Sequence, residues 1–167
     1  MTLTGEMLIG FAAVRGSEGS LAAFNPATHA EIPEPTFGLG GPAEVDRAAR
    51  LADDAFDAYR QAPLSRRASF LEAIADNIVA IGDELLARAH AETGLPMARL
   101  TGERARTVGQ LRLFAKVVRD GHFLNATIDP AQPERKPLPR VDLRLAKVPL
   151  GPVAAVSYTH LTLPTKA

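Results

Sequence analysis

The chain contains no cysteine among its 167 residues. This absence excludes a disulfide framework, a thiolate metal site and a cysteine nucleophile within these residues. The 4 histidines have no partner at the i, i+4 spacing of a helical zinc site. From residue chemistry alone we therefore expect neither a metal site nor a catalytic centre in the chain.

An excess of one charge and a long apolar run are also missing. The 19 basic residues balance 19 acidic ones, so no overall field attracts nucleic acid or an anionic membrane. No apolar run approaches the roughly 18 residues of a membrane span. Glu6 interrupts the apolar start of the chain, and no basic region of a signal peptide precedes it. We expect a cytoplasmic protein with no nucleic-acid partner and no membrane partner.

The length allows one domain with a core, and 46% hydrophobic with 23% charged residues is ordinary for a globular protein. Near the end, Val148–Val156 is an almost continuous apolar run around Gly151 and Pro152. Such a run is typical of a parallel strand covered on both faces, which needs a crossover and parallel neighbours. Residues 157–167 supply neither. The pattern predicts an α/β fold, with the chain as the front part of a larger enzyme.

Short strands are predicted on either side of a helical middle. Glu6–Ala13 and Leu21–Phe24 are expected to form one hairpin, and Asn25–Thr28 is expected to turn the chain out of it. A proline-rich connector leads to a further strand at Arg140–Lys147, where apolar and polar residues alternate.

Three helical segments are predicted between these strands. The first covers Ala43–Gln61 and ends before Pro63. The second begins with Ser65 as its N-cap and bends or restarts at Gly82. The third covers Met97–Asp120.

The third helix is predicted to carry an apolar arc and a separate basic edge. The arc consists of Leu100, Thr107, Leu111, Phe114, Ala115 and Val118. The basic edge consists of Arg112, Lys116 and Arg119. We expect the basic edge to be solvated. Arg104 falls inside the arc and is expected to form a structural salt bridge.

Arg106 and Gln110 lie one turn apart on a third, otherwise apolar stripe of the same helix. A guanidinium beside an amide can bind a carboxylate through two hydrogen bonds. Arg106 and Gln110 are therefore candidate substrate-binding residues, with a purely structural role as the alternative.

Glycines precede the first helix at Gly38, Gly40 and Gly41. Their spacing fits neither the dinucleotide fingerprint nor the P-loop, no lysine follows, and no strand is predicted before them. The pattern indicates a flexible loop rather than a phosphate site.

Several short motifs resemble the aldehyde dehydrogenase superfamily, and they occur in the family's order. They are Gly5–Gly10, Asn25–Thr28, Glu92–Pro96, Gly102–Thr107, Gln110–Arg112 and Val148–Val153. The likeness is greatest to the α-ketoglutaric semialdehyde dehydrogenases, which oxidise 2,5-dioxopentanoate with NAD or NADP, and residues 132–140 also resemble that subgroup.

The resemblance implies a domain plan for the chain. Residues 1–128 would be the hairpin and helical front of the coenzyme-binding domain, and 129–150 a proline-rich connector with a strand of the oligomerisation arm. Residues 151–155 would be the first strand of the Rossmann-like sheet, which is truncated there. In the family the helix that bears Arg106 borders the substrate tunnel, which favours Arg106, with Gln110, as a carboxylate contact.

The resemblance also implies a homo-oligomeric enzyme acting on a small aldehyde. The family's catalytic cysteine and glutamate lie beyond residue 167, so no catalytic or cofactor-binding residue is assigned here. We expect the 167-residue chain to be inactive and not to bind NAD or NADP by itself.

Residues 156–167 are expected to be a non-native tail. Val156–Thr165 is the translation of GTC-TCT-TAT-ACA-CAT-CTG-ACG-CTG-CCG-ACG, which resembles a transposase-end sequencing adapter. His160 stands where the family has the asparagine of an Asn-Phe-Pro segment.

Two other functions stay open from the sequence. A helical interaction module could use the basic edge of the third helix to bind an acidic partner or nucleic acid. A regulatory subunit could pair with intact dehydrogenase chains through the arm strand.

Overall fold

A computed structural model describes residues 3–155. The strands within them form three separate antiparallel pairs. The elements in chain order are β1 (Met7–Ile9), β2 (Ala12–Val14), β3 (Ser20–Asn25), β4 (Ala30–Gly38), α1 (Pro42–Gln61), α2 (Leu64–Ile81), α3 (Asp83–Thr93), α4 (Met97–Asp120), a 3-10 turn (His122–Leu124), β5 (Thr127–Asp129) and β6 (Leu143–Leu145).

The single N-terminal hairpin predicted from the sequence is wrong, because the chain forms two hairpins. It reverses at Gly10-Phe11, so that β1 pairs with β2. Gly10 has φ +63°, which a tight two-residue turn requires and a side chain disfavours. β3 then pairs with β4, a segment with two prolines that the sequence pattern did not identify as a strand.

The Asn25–Thr28 turn lies inside the second hairpin and does not lead out of it. The Asn25 side-chain oxygen accepts hydrogen bonds from the backbone N–H groups of Ala27 and Thr28, at 2.9 and 3.3 Å. A turn of this type can connect two paired strands as well as lead the chain out of a hairpin, so the sequence signal does not distinguish the two cases.

A bulge at residues 33–36 interrupts the second hairpin, where four residues of β4 face Ala22 of β3. Two arginines from elsewhere in the chain bind its carbonyl groups. Arg15 Nη1 donates to the Thr36 oxygen at 3.0 Å, and Arg88 Nη1 of α3 donates to the Glu34 oxygen at 2.9 Å. The bulge thereby connects both hairpins to α3.

The helix predictions are confirmed, with one correction. α1 and α4 begin and end within one residue of the predicted bounds, and Gly82, at φ +71°, separates α2 from α3. Ser65 is not an N-cap, because α2 already begins at Leu64 after Pro63 and makes no side-chain cap hydrogen bond. Pro63 suits the start of a helix, because N–H groups there have no intrahelical partner and the ring fixes φ near the helical value.

The core lies mainly between the antiparallel helices α2 and α4. Ala68 and Ala75 on α2 and Ala115 on α4 are completely buried, and Val108 is 5% exposed. Small side chains at this spacing allow the two helix backbones to approach closely.

The apolar arc predicted for α4 is partly wrong. Thr107 and Phe114 are exposed, whereas Val108, which the arc omitted, is buried. The buried face of α4 runs through Leu100, Val108 and Ala115. Small residues such as Val108 and Ala115 fit the narrow space between the helices better than Phe114 does.

The basic edge of α4 is not simply solvated, because it pairs with acidic residues of α2. Arg119 donates two hydrogen bonds to the Glu72 carboxylate at 2.5 and 2.6 Å, and Arg112 donates one to Asp76 at 2.9 Å. The hydrogen bond from Arg119 lowers the pKa of the Glu72 carboxyl. These pairs flank the apolar contact between the helices.

The strand predicted at Arg140–Lys147 is confirmed at its centre, where β6 pairs with β5. Residues 151–155 pair with no strand within residues 3–155, and Val153 is 88% exposed. Their membership of a parallel sheet stays a prediction. The predicted non-native tail, residues 156–167, lies outside the described residues.

Candidate functional site

Burial of one face of α4 decides where the candidate residues point. Arg106 and Gln110 each lie two residues from buried Val108, which is roughly 200° around the helix. Both side chains are therefore on the side of α4 that faces away from α2, and both residues are exposed.

The structure brings Arg106 and Gln110 together in one groove along this side of α4. The groove has a volume of about 320 Å³. It is lined by Glu103, Arg106, Thr107, Gln110, Leu111 and Phe114. Polar groups at one end and the apolar groups of Leu111 and Phe114 at the other suit a short carbon chain that carries an anionic group.

Arg106 has one ionic contact in the groove. Its Nη1 lies 3.4 Å from Glu103 Oε2, and its side chain is 74% exposed. A guanidinium has five N–H donors, so a single contact leaves a bidentate edge for a carboxylate. Gln110 lies one turn further along and offers an amide donor beside it.

Glu103 is a groove residue that the sequence analysis missed. Its i, i+3 spacing to Arg106 was the available signal, since residues three apart on a helix are neighbours. Thr107 also lines the groove, but its hydroxyl donates to the Glu103 backbone carbonyl at 3.0 Å and is therefore engaged within α4.

Arg104 has a structural role, as predicted, although its main partner is not a carboxylate. Its Nη1 donates to the Gly82 carbonyl at 2.8 Å, while Asp83 Oδ1 lies 3.9 Å away. The contact satisfies a carbonyl at the end of α2, where helices leave such groups unpaired.

The glycine loop before α1 does not fit the phosphates of a nicotinamide coenzyme. A strand, β4, does precede it, contrary to prediction, but that strand belongs to an antiparallel hairpin. The Gly41 N–H donates to the Glu44 carboxylate at 2.8 Å, and a Cβ on Gly41 would lie 2.8 Å from Glu18 Oε1. Two carboxylates thus occupy the place where a coenzyme phosphate would have to bind.

Residues 3–155 contain no group of three or more His, Asp or Glu side chains placed to hold a metal ion. No helix in the same range is long and apolar enough to cross a membrane.

Two curated relatives are similar to the chain in sequence. The chain is 66% identical over 163 residues to alpha-ketoglutaric semialdehyde dehydrogenase 2 of Azospirillum brasilense. This match covers 98% of the chain and 31% of that protein. The chain is 51% identical over 120 residues to alpha-ketoglutaric semialdehyde dehydrogenase of Acinetobacter baylyi, covering 72% of this chain and 23% of that protein. The chain thus spans a third or less of the length of these relatives.

Solved structures show the same fold. Succinate-semialdehyde dehydrogenase from Burkholderia pseudomallei superposes with a TM-score of 0.65 at 26% identity, over 75% of this chain and 25% of that one. An NAD-dependent benzaldehyde dehydrogenase from Corynebacterium glutamicum superposes with a TM-score of 0.68 at 20% identity, over 81% and 28%. The mainly helical front with short strand pairs is therefore the corresponding part of that α/β fold.

The model of the aldehyde dehydrogenase family matches residues 13–157, which is most of the chain. The match agrees with the motifs, with the fold and with both curated relatives. The chain belongs to the aldehyde dehydrogenase family.

Proposed function

We propose that the protein that carries this chain is an NAD- or NADP-dependent aldehyde dehydrogenase. Its proposed substrate is 2,5-dioxopentanoate, or a similar small carboxylate-bearing aldehyde, which it oxidises to the acid. The observation that carries the proposal is the 66% identity, over 98% of the chain, to a protein named for this semialdehyde.

We assign the carboxylate of the substrate to Arg106 and Gln110. Arg106 has free donors in the groove, and Gln110 lies one turn along the same side of α4. Leu111 and Phe114 supply apolar contact for the carbon chain. A charge-assisted, bidentate contact of this kind gives both affinity and orientation.

The reaction needs groups that these 167 residues lack. Attack on an aldehyde uses a thiolate in this family, and the chain has no cysteine. The Gly41 loop does not fit the coenzyme phosphates either, because two carboxylates lie beside its N–H. We therefore propose that the chain is inactive alone and that residues 1–128, 129–150 and 151–155 follow the domain plan given above. The whole enzyme is proposed to be a cytoplasmic homo-oligomer.

The substrate assignment is tested by Arg106→Ala in the full-length enzyme. The KM for 2,5-dioxopentanoate should rise about ten- to a hundredfold, since a hydrogen-bonded contact to a charged group contributes about 1.5–3 kcal/mol. The KM for pentanal, an uncharged aldehyde of similar length, should change far less.

Arg50→Ala is the matched control. Arg50 lies on α1, and its side chain is 76% exposed and paired with Asp46 one turn away. It should leave both KM values unchanged. Equal effects of Arg106→Ala on the two aldehydes would return Arg106 to a structural role, and no oxidation of either aldehyde by the full-length enzyme would refute the activity.

The alternative of a basic interaction module has less support. Arg112 and Arg119, two of the three cations of the basic edge, bind carboxylates of α2. A paired cation attracts an external anion less strongly than a free one does.

A further inference from the structure

We propose that Glu103 is a specificity-determining residue that competes with the substrate carboxylate for Arg106. The inference rests on the proposed function, because it assigns a role within the same groove. Glu103 is not required for the reaction. Its effect is to lower the affinity of the groove for anions, so that both the carboxylate-bearing aldehyde and its acid product bind with moderate strength.

The geometry of α4 places this competitor permanently beside the guanidinium. Glu103 and Arg106 lie one turn apart on one helix, and Oε2 of the first is 3.4 Å from Nη1 of the second. Because the helix backbone fixes the separation of their Cβ atoms, Glu103 can release Arg106 only by rotating its side chain.

The single contact between the two side chains makes the exchange possible. Within residues 3–155 the side chains of Arg106 and Glu103 are 74% and 52% exposed, and one nitrogen–oxygen contact joins them. Exposed ion pairs of this type are weak. An incoming carboxylate that uses two guanidinium donors and the Gln110 amide gains more contacts than Glu103 loses, so it displaces Glu103 at a modest cost in affinity.

The charge of the groove leads to the same conclusion. One cation and one carboxylate line it, so its formal charge is zero before the substrate arrives. Removal of the Glu103 charge would leave Arg106 uncompensated. The affinity for a carboxylate should then rise about two- to fivefold, the range expected for one exposed ion pair.

The experiment compares four full-length enzymes: the wild type, Glu103→Gln, Arg106→Ala and the double variant. The measurements are the KM for 2,5-dioxopentanoate, the KM for pentanal and the inhibition constant of glutarate, which has a carboxylate but no aldehyde. Glu103→Gln should lower the ratio of the KM for 2,5-dioxopentanoate to the KM for pentanal about two- to fivefold. It should lower the inhibition constant of glutarate by the same factor. In the Arg106→Ala background it should change neither quantity.

Each outcome decides between the two proposals. If Arg106→Ala raises the KM ratio but Glu103→Gln leaves it and glutarate inhibition unchanged, the competitor role is overturned and the substrate site stands. If Glu103→Gln strengthens glutarate inhibition equally with and without Arg106, the charge acts on the anion directly and the competition is refuted. If Arg106→Ala does not discriminate between the aldehydes, the site assignment itself fails.

A second variant guards against a folding defect. Glu103→Ala removes the same charge with a different side chain and should shift both quantities in the same direction as Glu103→Gln. Opposite shifts in the two variants would refute a purely electrostatic competitor.

Discussion

Gly16→Ala should destabilise the junction between the two N-terminal hairpins. A Cβ on Gly16 would lie 2.1 Å from the Leu39 carbonyl oxygen and 2.3 Å from its carbon. These are backbone atoms, which cannot rotate away as a flexible side chain can. The substitution must therefore displace Leu39 itself.

The displacement breaks hydrogen bonds that close the junction. The Glu18 N–H donates to the Leu39 oxygen and the Leu39 N–H donates to the Gly19 oxygen, both at 3.0 Å. Overpacking costs about 1–3 kcal/mol, and each lost hydrogen bond adds about 0.5–1.5 kcal/mol. With both hydrogen bonds lost, we expect a total loss of about 2–6 kcal/mol.

Amide hydrogen exchange measured by NMR reports this loss where it occurs. Exchange at the Glu18 and Leu39 amides should accelerate about 30- to 20,000-fold in Gly16→Ala, because each 1.4 kcal/mol is a factor of ten. Unchanged protection at both amides would refute the reasoning, since Leu39 would then have stayed in place.

Gly109→Ala is the matched control, because it makes the same chemical change inside α4. Apart from Gly109, its two chain neighbours and the adjacent backbone of α4, no atom within residues 3–155 lies within 4 Å of a Cβ on Gly109. Alanine should raise the free energy of unfolding by about 0.8–1 kcal/mol through its helix propensity, measured as a higher urea midpoint. A loss of stability in this variant would contradict the assignment of Gly109 to an open helical position.

Three further predictions concern packing and charge. Val108→Ala should lower the free energy of unfolding, measured in urea, by about 1–3 kcal/mol. Val117→Ala on the same helix should lower it far less, since Val108 is 5% exposed and Val117 is 39% exposed. Equal losses would contradict the buried face of α4. Arg88→Met should cost about 1–2 kcal/mol, because the Arg88 side chain is only 15% exposed and binds the β4 bulge, and an unchanged urea midpoint would count against that role. Glu72 has a pKa below its ordinary value because Arg119 donates to it, so its stabilising effect is complete above the ordinary carboxyl pKa and is lost as the pH falls through the lowered one. Urea midpoints across the acid range should therefore fall less steeply in Glu72→Gln, and an identical slope would show that the pair does not contribute.

Local signals in the sequence were enough to predict the helices. Proline and glycine stop helices through their own backbone preferences, so the ends of α1 and α4 could be read from Gly41, Pro63, Pro96 and Gly121 without any tertiary contact. The candidate pair Arg106 and Gln110 was predicted in the same way, since helical spacing alone places them on one side.

Pairing of strands was harder to predict from the sequence. Whether Ala30–Gly38 pairs with β3 depends in part on a segment distant in sequence, because Arg88 of α3 donates a hydrogen bond to the bulge. β4 contains two prolines, so its local propensity argues against the strand that its partners stabilise.

The sequence by itself determined the helices, the absence of a thiol nucleophile and the spacing that places Arg106 beside Gln110, because each depends only on residue type and helical period. Tertiary structure decided which face of α4 is buried. Several stripes of that helix are apolar, and only the contact with Ala68 and Ala75 of α2 selects the one through Val108. That choice places the side chains of Arg106 and Glu103 together in an exposed groove, where their charges can act on a ligand.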